Sequence, residues 1–190
     1  MSDSANSRVS GPCPRVLLLV IWVLLAATAS CATRSSPPAD ELRPVVTLRD
    51  VMSAMIGPSA DVLWASVMTV ATPDGFEERV PETDEEWENL RRSATTMVEA
   101  ANLLLIEGRR VARAGATSQT PGVELEPDQI ASLLTEDWET WVRLAHELQE
   151  SGQLFLNAID ARDPEPLFDA GGDLDTACEN CHQIYWYPSN

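Results

Sequence analysis

The sequence predicts an all-α protein, an antiparallel up-down-up-down four-helix bundle. Three observations carry that expectation. After residue 44 no segment sustains the period-two alternation of a half-buried strand, whereas four segments place apolar residues three and four apart. The connections between those segments are mostly modest in length, which favours antiparallel neighbours. No internal repeat and no long low-complexity tract interrupts them.

In the first segment Leu48, Met52, Met55, Ile56, Leu63, Val67 and Val70 share a face. Gly57-Pro58 lies inside it, and a proline within a helix removes a hydrogen bond, so a bend is expected there. The second segment opens on Thr83-Asp84-Glu85-Glu86, a capping-box pattern. Its stripe is Trp87, Leu90, Ala94, Met97, Ala101 and Leu104, with Gly108 as a stop. A loop over residues 109–126 holds the breakers Gly115, Pro121 and Gly122. The third helix is expected to start near Pro127 and to run as one element through Ile130, Leu134, Trp138, Trp141, Ala145, Leu148, Gly152, Phe155 and Ile159. Asp163-Pro164 ends it and caps the fourth, whose stripe is Leu167, Gly171, Leu174, Cys178, Cys181 and Tyr185.

Residues 1–30 read as an export signal of lipoprotein type. Arg8 and Arg15 precede an apolar run over residues 16–27, too short for a comfortable membrane span. Ala27-Thr28-Ala29 suits an ordinary signal peptidase and would leave a soluble periplasmic protein. Thr28-Ala29-Ser30-Cys31 resembles a bacterial lipobox, with Cys31 as the lipidated residue. Cysteine arithmetic favours the second, because Cys13 departs with the signal and Cys31 is otherwise stranded in an oxidising compartment. Residues 31–43, with Ser35-Ser36-Pro37-Pro38, then form a flexible tether, and residues 44–190 one folded domain. Thirty acidic residues against 13 basic ones, all arginine, give a net charge of -17. That balance argues against nucleic acid and fits either plain solubility or a basic partner.

Cys178-Glu179-Asn180-Cys181-His182 carries the chemistry. Two thiols three residues apart reach the two vinyl groups of one haem edge as thioethers, and the adjacent histidine supplies the proximal imidazole to iron. The cofactor expected is one covalent haem c. The competing readings are weaker: a thioredoxin-like pair wants an α/β context. A zinc site would consume Cys178, Cys181, His182 and His146 together. A disulfide leaves His182 without a role.

A four-helix bundle with this motif on its last helix resembles cytochrome c′ and its low-spin relatives. The resemblance rests on residues 170–172, on Cys178 to His182, and on Tyr185 three residues beyond the histidine. Trp186, where arginine is usual, and Gly57-Pro58 depart from it. Residues 58–64 and the ending Tyr185-Trp186-Tyr187-Pro188 are similar to a group of bacterial haem lipoproteins. The resemblance implies a sixth ligand from early in the first helix, where Met52 falls, and it implies a homodimer through the first two helices.

From the residues alone, Met52 and Met55 are both candidate sixth ligands, against core filler and an open site; the resemblance is what puts Met52 first and Met55 second. His146 lies too far along its helix. Trp138, Trp141 and Tyr185 are expected to pack on the porphyrin, and Arg49 and Arg109, with Arg110, are candidate partners of its propionates. No catalytic constellation suggests an enzyme. The function expected is periplasmic single-electron transfer with a redox partner. The alternatives are a five-coordinate gas-binding haem protein and a structural lipoprotein with a Cys178–Cys181 disulfide.

Overall fold

The computed structural model describes residues 42–188; the signal segment, Cys31 and most of the expected tether lie outside the described residues. The described chain is mostly helical, with one small two-stranded sheet. Among the described residues no helix is long and apolar enough to cross a membrane.

The first helical stretch has three parts: α1 (Leu48–Val51), a π turn (Met52–Ile56) and α2 (Gly57–Trp64). Thr47 and Asp50 form a capping box at its start, and Asp50 is further held by Arg113 at 2.8 Å. The amides of Leu48 and Arg49, free at a helix start, donate to the carbonyls of Arg110 and Val111 at 2.9 and 3.0 Å. Gly57-Pro58 therefore does not break the helix. The missing Pro58 amide is accommodated by the wider turn just before it.

Two expectations about helix extent are corrected. The first helix ends at Trp64, so Val67 and Val70 are not on its face. Residues 68–79 form a hairpin, β1 (Met68–Thr72) antiparallel to β2 (Gly75–Arg79), with Met68 opposite Arg79 and Thr72 opposite Gly75. Period-two patterning is faint because β2 is exposed throughout and β1 only half-buried on alternate residues. The turn signal, Pro73-Asp74-Gly75, is plain in the sequence, and Gly75 has φ +137°.

The second helix, α3 (Asp84–Leu104), starts on the Thr83–Glu86 capping box as the sequence indicates. The expected single third helix is two: α4 (Pro127–Glu136) and α5 (Trp138–Ala161). Asp137, at φ -139° and ψ 70°, breaks the helical path and caps α5 by accepting from the Thr140 amide. The apolar spacing runs on across the break, so periodicity alone could not show it. The last helix, α6 (Pro164–Tyr185), begins on the Asp163 cap.

The core lies between these helices, with Phe155, Leu63, Met97, Leu144, Leu167 and Leu174 wholly buried. The most extensive packing is of α3 on α5 and of α5 on α6. Both pairs are antiparallel. Arg162 at the end of α5 pairs with Asp84 at the start of α3, at 2.6 Å, and Trp141 near the start of α5 donates to Leu104 at the end of α3, at 3.0 Å. Tyr185 at the end of α6 packs edge-on against Trp141, ring centroids 5.1 Å apart.

Candidate haem site

One cavity of about 460 Å³ lies beside the last turns of α6, within the size range of cofactor sites. Cys178, Cys181, His182 and Tyr185 line it from α6; Leu48, Met52, Ile56, Ala60 and Trp64 line it from the first helical stretch. Trp141, Leu144, Ala145 and Leu148 of α5 form another wall, with Ile130 of α4 and Leu104 beside them. The three motif residues share a wall because positions three and four apart on a helix lie on one face.

The thiols of Cys178 and Cys181 are free, and the helix runs on unbroken through both. Burial, reinforced by Asp175 and Glu179, pushes the Cys178 thiol up to about 11. Burial also pushes Cys181 up to about 12, helped by Cys178 and Glu147. Both are therefore neutral thiols at pH 7, unlike the depressed thiolates of a redox pair. Burial likewise lowers the His182 pKa, so its imidazole is neutral and able to ligate.

The structure separates the candidates that the sequence grouped. Met52 lines the cavity; Met55 does not, and packs on the core instead. Trp141 and Tyr185 line it; Trp138, the first residue of α5, is half-buried against the core and outside the lining. Among the described residues Arg49 is the one guanidinium in the lining, its Nη1 donating to the Thr117 carbonyl at 3.0 Å. Arg109 is elsewhere. Gly108, at φ +73°, turns the chain after α3, and Arg109 reaches back to the carbonyls of Leu103 at 2.9 Å and Val46 at 2.7 Å. It closes the helix end rather than the cavity.

His146 is exposed and lies in a separate surface groove with Asp137, Glu139, Arg143, Glu147 and Glu150. Among the described residues no group of histidine, cysteine and carboxylate side chains is placed to hold a bare metal ion, so the four-ligand zinc arrangement is not assembled.

Several lining residues went unread in the sequence. Trp186 and Tyr187 stand edge-on to the His182 ring, centroids 4.8 and 5.8 Å away. The Tyr187 hydroxyl donates to Glu179 at 2.8 Å, and Glu179 also accepts from Gln183 at 2.9 Å. Leu125 donates its amide to the Trp186 carbonyl at 2.7 Å, joining the long loop to this corner. The aromatic ending is visible as a string; that it stands against His182 depends on how the chain leaves α6, where the amides of residues 186 and 187 donate to the His182 carbonyl and the loop amide of Leu125 holds residue 186. Asp61, Glu124, Asp175 and Glu179 give the cavity an acidic margin.

The arrangement fits a covalent haem. Two neutral thiols and a neutral imidazole share one wall, a thioether lines the same cavity from another helix, and the walls between are apolar. Comparison with protein-family models, with curated proteins and with solved structures finds no match for this chain.

Proposed function

We propose that the protein is an exported c-type cytochrome that carries single electrons. Cys178 and Cys181 hold one haem covalently and His182 is its proximal ligand. Such a group supplies reversible one-electron chemistry at iron. The chain's own residues orient and shield it: Trp141 and Tyr185 supply aromatic wall, Trp186 and Tyr187 cover the His182 ring, and Arg49 is placed to meet a propionate. Met52 is the sixth ligand. The single observation that carries the reading is the shared cavity, with the motif on one helix and a thioether on another.

The same reading takes the helices as an up-down-up-down four-helix bundle. The two antiparallel pairs support it, as does the Trp64 indole at the end of α2, bonded at 3.1 Å to the carbonyl of Gly171, which lies well before His182 along α6. Lipidation at Cys31, a periplasmic location and a redox partner, basic if the acidic margin steers it, complete the proposal.

A structural disulfide is disfavoured. Side chains three apart on a helix have Cβ atoms about 5–6 Å apart, beyond the roughly 3.5–4.5 Å of a disulfide. A gas-binding site has one supporting observation, the apolar neighbours of Met52 at Leu48, Ile56 and Ala60.

The test is the visible spectrum of matured protein, reduced, with and without carbon monoxide, beside the Met52→Leu variant. The proposal expects a low-spin wild type slow to take up carbon monoxide and a high-spin variant that takes it up at once. A high-spin wild type hands the function to gas binding.

A further inference from the structure

We infer that Gly57-Pro58 is a positioning device that holds a π turn open so that Met52 stands on the cavity wall; the inference rests on the reading of Met52 as the sixth ligand. The observation behind it is a register. The cavity is lined from this stretch by a run of adjacent pairs that recur every four residues, 48/49, 52/53, 56/57 and 60/61, and then by Trp64, with Leu48, Met52, Ile56 and Ala60 as the leading member of each pair. In a continuous α-helix each residue turns by about 100°, so four steps of four residues drift by about 160° around the axis. A helix cannot keep that set on one wall unaided. One extra residue taken into a single turn returns about 100° of the drift, and the π turn Met52–Ile56 falls inside the run.

Two features of the dipeptide hold the turn. The Gly57 amide donates to the Met52 carbonyl, the i→i+5 bond that closes it. A Cβ at Gly57 would stand 3.1 Å from that same oxygen, tighter than side chains ordinarily tolerate. Pro58 has no amide to give to the Ala54 carbonyl, the bond an α-helical path would demand. Both ends of the stretch are tied: Leu48 and Arg49 to the carbonyls of Arg110 and Val111, and Trp64 to Gly171. The wide turn thus connects two fixed ends, and Met52 is its first residue.

The experiment compares three matured proteins with the wild type by reduced spectrum and carbon monoxide kinetics, with circular dichroism to confirm folding. Pro58→Ala returns the missing donor, so the turn tightens and Met52 swings off the wall. The expected result is loss of most of the low-spin signal and carbon monoxide uptake faster by about tenfold or more, as the ligand-free fraction rises. Deleting the exposed Ala54 in the Pro58→Ala background removes the surplus residue, so an ordinary α-helix again joins the fixed ends and the low-spin spectrum returns. A Pro58→Ala protein with the wild-type spectrum overturns the inference, and so does a deletion that fails to restore it. Met52→Leu separates the two claims. If it turns high-spin while Pro58→Ala does not, ligation stands and the Pro58 role falls; if it stays low-spin, both fall.

Discussion

At the scale of single residues, neighbours of like chemistry take different parts. Met52 and Met55 are three apart, and three residues fall well short of a full circuit in a turn closed by an i→i+5 bond, so only one faces the cavity. Met55→Leu is therefore expected to leave the spectrum unchanged and to cost less than about 1.5 kcal/mol of stability in chemical denaturation. Arg49 and Arg109 divide in the same way. Arg109→Gln removes bonds to two backbone carbonyls and is expected to lower stability by about 1–3 kcal/mol with the haem spectrum intact. Arg49→Gln is expected to do the reverse, shifting the midpoint potential in redox titration with little effect on denaturation. The proposed attachment motif is legible in the sequence outright, because its chemistry lies in five contiguous residues. It offers both methionines and both arginines without choosing, because the choice depends on a π turn and on a glycine-led turn at Gly108.

At the scale of elements, caps and stripes were legible and breaks were not. Thr83–Glu86 and Asp163 act where their residue types indicate. The Asp137 break is hidden because the apolar period continues across it, and the hairpin over residues 68–79 because neither strand buries a full face. Asp137→Ala should cost about 1 kcal/mol, the usual worth of a lost N-cap. Gly152, read from its stripe simply as a core position, is a point where α5 packs tightly on α3: a Cβ there would meet the Val98 Cγ2 at 2.9 Å and the Met97 Cγ at 3.2 Å. Gly152→Leu would force the two helices apart. A loss of about 1–3 kcal/mol in thermal or chemical unfolding is expected.

At the scale of the whole molecule, charge sets the response to pH. A net charge of -17 repels itself, and lowering the pH toward the isoelectric point near 4.3 relieves that repulsion. Opposing this are carboxylates held below their ordinary range: Glu126 by the Ser118 hydroxyl and amide, Glu86 by the amides of Glu82 and Thr83, Asp137 by the Thr140 amide. Asp50, hydrogen-bonded first by the Thr47 hydroxyl, then by its amide and by Arg113, is held at about 2. For depressed carboxylates the stabilisation is fully present above the unfolded pKa of about 4 and is lost as the pH falls through the lower folded values. The thermal midpoint should therefore rise from pH 7 toward about pH 5 and fall steeply below about pH 4. Glu126→Gln should blunt the acid limb, and added salt should raise the midpoint at pH 7 by screening.

The central claim is that Cys178 and Cys181 carry a haem whose iron His182 binds. Its most direct measurement is absorbance and intact mass of the protein matured with its export segment, after acidified-solvent extraction that strips unattached haem. The Soret absorbance and one haem's mass are expected to stay with the polypeptide, and Cys178→Ser with Cys181→Ser to abolish both. A polypeptide that emerges colourless, at the mass of its sequence, would contradict the claim.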